Sequence, residues 1–138
     1  MAKVRDIMQK NVITIESVKN AHDAAIILKE REISFLVVVK EGKPIGIVSE
    51  RDIVRKIVAD NNDAQTTQLE IIMSKNFKWV EPNASIESAV QKMLNNNIRR
   101  LVVLENENLA GVITQTDLTE FLRSKILINA TVKNIETD

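Results

Sequence analysis

Two segments of this chain are copies of one another, and that duplication constrains the fold more than any other feature. Gly46-Ile47-Val48-Ser49-Glu50-Arg51-Asp52 recurs as Gly111-Val112-Ile113-Thr114-Gln115-Thr116-Asp117. Each copy is a glycine, two β-branched apolar residues, a hydroxyl residue, two variable residues and an aspartate. The offset of 65 residues holds without a gap along the flanking sequence, through Ile7/Ile72, Met8/Met73, Lys10/Lys75, Asn11/Asn76, Ala24/Ala89, Ile33/Ile98 and the Leu-Val-Val of 36–38 and 101–103. Two copies are too few for a solenoid, whose stacked units number at least three. A pair of units packed face to face about a pseudo-twofold axis is the expected use. The repeats span 1–59 and 69–125. The polar run from Asp60 to Gln68 reads as a linker, and 126–138 as a tail whose conformation, strand or loose, the residues leave open.

Composition narrows the functional classes. With 138 residues the chain has the length of one ordinary domain. Its 44% hydrophobic and 3% aromatic content means a core of Ile, Val, Leu, Ala and Met. Nineteen basic and nineteen acidic residues cancel, which argues against a nucleic-acid partner, since such proteins carry a basic excess. There is no cysteine, so disulfides, thiolate metal sites and cysteine nucleophiles are excluded. The start, Met1-Ala2-Lys3-Val4-Arg5-Asp6, lacks an apolar signal segment. Apolar runs such as Phe35–Val39 are too short to span a bilayer. The expectation is a cytoplasmic protein with no membrane partner.

Each copy reads β-α-β-β-α, an α+β class. Val12–Ile15 and Phe77–Val80 form the first strands. The helices that follow are capped by Asn20 and Ser85, types that accept a bond from an unpaired backbone N–H. Ile86, Ala89, Val90, Met93 and Leu94 make one helical stripe; Ala21, Ala24, Ala25, Ile26, Ile27 and Leu28 spread wider than one face. Phe35–Lys40 and Pro44–Ser49 form a hairpin around Glu41-Gly42-Lys43. Leu101–Leu104 and Leu109–Ile113 form the second, around a longer polar turn without glycine. The closing helices start near Ser49 and Thr114, the second continuing toward Ile126.

The doubled motif has two readings. A hydroxyl at an N-cap with an acid three residues on resembles a capping box, and an acid in the first turn suits the helix dipole. Gly46 then serves only a close backbone approach. The same atoms also suit a nucleotide. A helix start offers free N–H groups and partial positive charge to phosphate, the hydroxyl donates to a phosphate oxygen, and the carboxylate accepts from both ribose hydroxyls. Both copies keep the hydroxyl and the acid while other positions diverge, which weighs toward a ligand.

The chain resembles the tandem CBS (cystathionine β-synthase) domain pair. The resemblance is carried by Val4-Arg5-Asp6-Ile7-Met8, by Ile33-Ser34-Phe35-Leu36-Val37-Val38 and Ile98-Arg99-Arg100-Leu101-Val102-Val103, and by the two Gly-x-x-[Ser/Thr]-x-x-Asp motifs, from Val4 to about Arg123. It implies two β-α-β-β-α repeats packed sheet to sheet, with two clefts that commonly take AMP, ADP, ATP or S-adenosylmethionine. Each cleft is implied to combine one copy's motif with the other's first strand and hairpin start. One would join Thr114 and Asp117 to Thr14, Ile33 and Ser34. The other would join Ser49 and Asp52 to Lys78, Trp79, Val80, Ile98, Arg99 and Arg100. The aspartates would hold ribose hydroxyls, Ser49 and Thr114 phosphate or ribose, and main chain near Thr14 and Trp79 the adenine edge. Lys78, Arg99 and Arg100 favour a phosphorylated ligand in the second cleft. Many members have proline where Val37 and Val102 stand.

The remaining residues point to no catalysis. His22 has no second ligand near it in sequence, and no phosphate-loop, GxSxG or HExxH pattern occurs. The expectation is a freestanding regulatory module rather than an enzyme, requiring no metal or cofactor. It would report ligand state to an effector protein or to its own homodimer, through an apolar surface assigned to the first helix and to Ile53, Ile57, Leu118 and Leu122. A ligand-free oligomerisation scaffold and a nucleic-acid-binding CBS protein are the alternatives.

Overall fold

In a computed structural model the described residues are 2–137, with side chains to residue 130. The elements run α1 (Val4–Ile7), β1 (Thr14–Glu16), α2 (Ala21–Arg31), β2 (Phe35–Lys40), β3 (Lys43–Ser49) and α3 (Glu50–Asp52), the last continuing as a π-helical stretch over Ile53–Val58. The second set is α4 (Leu69–Ile72), β4 (Trp79–Val80), α5 (Ile86–Asn96), β5 (Arg100–Glu105), β6 (Asn108–Thr114) and α6 (Gln115–Thr137). The two sets follow one plan, the β-α-β-β-α repeat. Each contributes a three-stranded mixed sheet, β1-β2-β3 in one and β4-β5-β6 in the other.

The parallel pairs β1/β2 and β4/β5 need a crossover, which α2 and α5 provide. Asn20 starts α2 by accepting from the Asp23 N–H at 2.8 Å, and Asp23 accepts in return from the Asn20 N–H at 3.2 Å. Ser85 does the first of these for α5, accepting from the Ser88 N–H at 3.0 Å. Both helices end in a left-handed residue, Glu32 (φ 53°) and Asn97 (φ 51°). The first strands are shorter than the residues predict. Pairing begins at Thr14 and Trp79, so Val12, Ile13, Phe77 and Lys78 lie ahead of the ladders.

The two hairpins turn alike. Glu41 and Gly42 have φ of 51° and 77°; Asn106 and Glu107 have 52° and 68°. Positive φ at both central residues matches the twist of the flanking strands. The longer turn expected in the second copy is therefore two residues, with β6 beginning at Asn108.

The chain folds as two compact units whose make-up does not follow chain order. One holds Asn11–Lys78 with Asn106–Leu109, and the other Met1–Lys10, Trp79–Glu105 and Ala110–Asp138. The leading helices are thus exchanged. Leu69, Ile72 and Met73, around α4, are buried with Ile15, Ala24, Leu28, Leu36 and Val48. Val4, in α1, is buried with Val80, Ile86, Ala89, Leu101 and Ile113. Beyond each leading helix one residue bridges to a hairpin strand, Ser74 to Ile47 and Gln9 to Val112. Gly46 and Gly111 permit these approaches. A Cβ at Gly46 would stand 2.6 Å from the Met73 sulfur, and one at Gly111 would stand 2.6 Å from the Gln9 carbonyl oxygen.

Ile57 and Leu118 are buried, so they serve these cores and are not part of an exposed apolar surface. Leu122, Ile126, Leu127 and Ile128, on α6, are exposed. The backbone of α6 continues helical past Ile126, where the residues alone left strand and loose tail open; Asp138 lies outside the described residues.

Candidate functional site

Each motif sits where a hairpin strand becomes a helix, and in each the aspartate turns back on the hydroxyl residue. The Ser49 N–H donates to Asp52 Oδ2 at 2.8 Å, Ser49 Oγ lies 3.0 Å from the same oxygen, and the Asp52 N–H donates to Ser49 Oγ at 3.3 Å. In the second copy the Thr114 N–H donates to Asp117 Oδ2 at 2.9 Å and the Asp117 N–H to Thr114 Oγ1 at 3.2 Å. The capping reading is therefore realised twice, with Asp where Glu or Gln is usual. Capping does not exhaust these carboxylates, because it uses only Oδ2.

The other oxygen is engaged differently in each copy. Asp52 Oδ1 pairs with Lys56 Nζ at 3.2 Å, and the same ammonium donates to the Ile72 carbonyl at 2.7 Å, at the end of α4. Asp117 Oδ1 accepts from Gln9 Nε2 at 3.1 Å, in the segment that follows α1. The repeat comparison could not reveal these contacts. The positions aligned with Gln9 and Lys56 are Ser74, whose hydroxyl is on a much shorter side chain, and Phe121, which has no donor.

The hairpin start of each copy stands against its own motif. The Glu50 N–H donates to the Ser34 carbonyl at 2.9 Å, and the Gln115 N–H to the Arg99 carbonyl at 2.8 Å. Ser34 is thus brought to Ser49 and Asp52, and Arg99 to Thr114 and Asp117. Ser34 and Arg99 are exposed, whereas Ile33 and Ile98 are half-buried. Arg100 opens β5, half-buried. Thr14 is exposed on β1 and in register with Val37, so β2 separates it from Ser49 on β3. Trp79 is in register with Val102. At 43% exposed it is not a core residue; the Lys92 ammonium lies 5.5 Å from its ring centre and also donates to the Trp79 carbonyl. Val80 is buried in a core. Lys78 is exposed just ahead of β4.

Among the described residues no group of three or more His, Cys, Asp or Glu side chains converges as a metal site, and no helix is long and apolar enough to cross a membrane.

The chain belongs to the CBS domain family. The family's model matches twice, over residues 4–59 and 69–124. The CBS domain-containing protein YhcV of Bacillus subtilis is 33% identical over 118 residues, covering 86% of this chain and 84% of YhcV. Among solved structures, the CBS domain pair of protein MJ0100, in complex with 5-methylthioadenosine and S-adenosyl-L-methionine, superposes with a TM-score of 0.82 at 29% identity, covering 91% of this chain and 98% of that one. A hexameric CBS-CP12 protein from bloom-forming cyanobacteria gives 0.76 at 32% identity, covering 86% and 70%. The likeness supports a general regulatory, ligand-sensing role of the kind CBS domains fill, and such modules are typically non-catalytic.

Proposed function

We propose that this chain is a freestanding regulatory module that binds an adenosyl ligand and passes its bound state to a partner protein or to a second copy of itself, without catalysing a reaction. The observation that carries the reading is the repeated aspartate. Asp52 and Asp117 are each locked through Oδ2 to the N-cap backbone, which holds the carboxylate in one orientation for a ligand. A carboxylate so fixed accepts from vicinal ribose hydroxyls at little ordering cost. The adenosyl compounds bound by the MJ0100 domain pair support the same class here: AMP, ADP, ATP or S-adenosylmethionine.

In place of the cross-copy grouping that the resemblance implies, we group the residues by copy, on the Glu50–Ser34 and Gln115–Arg99 backbone bonds. Ser49, Asp52, Ser34, Ile33 and Thr14 fall in a first-copy site, and Thr114, Asp117, Ile98, Arg99, Arg100, Trp79 and Val80 in a second, with Lys78 leading into β4. With this grouping the guanidinium of Arg99 moves the stronger preference for phosphate from the Ser49/Asp52 site, where the resemblance put it, to the Thr114/Asp117 site. The position aligned with Arg99 in the first copy is the neutral Ser34.

Calorimetry with AMP, ATP and S-adenosylmethionine, on wild type and on Asp52→Ala and Asp117→Ala separately, tests the reading. Each substitution should silence one binding event, and the nucleotide should be recovered unchanged. Wild-type binding by both variants would refute the site assignment.

The exposed Leu122, Ile126, Leu127 and Ile128 of α6, and an open apolar groove of about 450 Å³ beside them whose lining includes the partly exposed Val90 and Phe121 and the exposed Leu122, favour a second reading, a ligand-free oligomerisation scaffold. Self-association in sedimentation with no thermal shift from any adenosyl compound would select it.

A further inference from the structure

The two motif aspartates share a feature that neither capping nor ligand binding requires. In each, the carboxylate oxygen not used by the cap is taken by a side chain that ties it to the leading segment packed in the same unit. For Asp117 the tie is direct. Gln9 Nε2 donates to Asp117 Oδ1 at 3.1 Å, while the Gln9 backbone exchanges bonds of 2.8 and 3.0 Å with Val112. For Asp52 the tie runs through Lys56, which holds Asp52 Oδ1 at 3.2 Å and the last carbonyl of α4, that of Ile72, at 2.7 Å. The two copies reach one arrangement with unrelated residues, an amide from the leading segment in one and a lysine from the helix in the other.

We propose that these ties couple ligand occupancy to the docking of the leading segments, with Gln9 as a gate on the second-copy site; this rests on the adenosyl-binding reading above. Asp117 Oδ2 already accepts the Thr114 N–H. Each carboxylate oxygen has two acceptor positions, and the cap and the Gln9 amide take one apiece, so a ribose diol that sets one hydroxyl on each oxygen approaches Oδ1 alongside the Gln9 amide and crowds it. Ligand and Gln9 compete for that oxygen. Docking of the segment lowers the apparent affinity by the fraction of molecules in which the oxygen is free. By linkage, a bound ligand loosens the segment by the same factor. The segment is held otherwise by the Gln9–Val112 pair and by the Val4 and Arg5 N–H groups donating to the carbonyls of Ala84 and Pro82, each at 2.9 Å. Losing the amide tie shifts the docking equilibrium without removing the helix from its core.

The test is AMP calorimetry on Gln9→Leu, which keeps the bulk and removes the donor, and on Gln9→Ser, which installs the residue aligned in the other copy. Both are made in an Asp52→Ala background so that only the second-copy site is read. AMP should bind about threefold to tenfold more tightly than to the same background with Gln9, the gain expected when a minor binding-competent state becomes the major one. Hydrogen exchange at the amides of Gln9 and Val112 should rise in wild type on adding AMP. Unchanged or weaker AMP binding by both variants would overturn the gate while leaving the ligand reading intact. Absence of binding by wild type to AMP, ATP and S-adenosylmethionine would overturn the reading and the gate together.

Discussion

Gly111 lies directly against Gln9: a Cβ added there would stand 2.6 Å from the Gln9 carbonyl oxygen, a backbone atom that also accepts from Val112. At Gly46 the first atom met is the flexible Met73 side chain, also at 2.6 Å, with the Ser74 carbonyl oxygen farther away at 3.1 Å. A side chain can rotate aside, but a carbonyl moves only with its segment. Gly111→Ala is therefore expected to destabilise by about 1–3 kcal/mol, the range for overpacking a tight contact, and Gly46→Ala by less. Urea unfolding of the two variants checks the order; equal losses would remove the distinction.

Glu107 occupies a left-handed turn position at φ 68°, where the first hairpin has Gly42 at 77°. A residue with a Cβ pays about 1–2 kcal/mol in that region, partly offset because glycine loses about 0.4–1 kcal/mol more backbone freedom on folding. Glu107→Gly creates Asn-Gly, the pair best suited to this turn. It should stabilise the chain by about 0.5–1 kcal/mol. Thermal melts without ligand decide it; a lower melting temperature would mean that the Glu107 side chain contributes more than its strain costs.

Much of this architecture was legible because its determinants are local. The β-branched runs marked β2, β3, β5 and β6. Asn20 and Ser85 marked the starts of α2 and α5, and the 65-residue offset showed that one plan is used twice. The exchange of the leading helices was not legible. Ile7, Met8, Lys10 and Asn11 match Ile72, Met73, Lys75 and Asn76, so nothing local says in which core each segment is buried. Gly46 could be read as a point of close approach, but not what approaches. The π-helical turn at Ile53–Val58 has no apolar spacing of its own to announce it. Gln9 and Lys56 escaped because repeat comparison finds what two copies share, and these residues do one task from non-equivalent positions.

Thr114 separates the structural from the ligand role of the motif. Its Oγ1 accepts from the Asp117 N–H at 3.2 Å, so Thr114→Val leaves a helix-start donor unpaired while Thr114→Ser retains the acceptor. The valine variant should lose about 1 kcal/mol without ligand, the usual worth of such a cap, and the serine variant a few tenths at most. Denaturant midpoints provide the measurement. An unchanged midpoint for valine would show that water satisfies the Asp117 N–H equally well.

Arg99 separates the two sites by chemistry. The Gln115 N–H holds the Arg99 carbonyl at 2.8 Å beside Thr114 and Asp117, just as the Glu50 N–H holds Ser34 beside Ser49 and Asp52. The backbone frames match, and the side chains differ by one positive charge. Arg99→Ser should make the second site resemble the first. AMP affinity should fall about tenfold through loss of one charge-assisted bond to phosphate, and adenosine affinity should stay as it was. The substitution is at an exposed position, so stability should change by less than about 0.5 kcal/mol. Paired titrations of AMP and adenosine against both proteins read the difference. Equal loss for the two ligands would place Arg99 against the nucleoside and not the phosphate. No loss for either would take it out of the site.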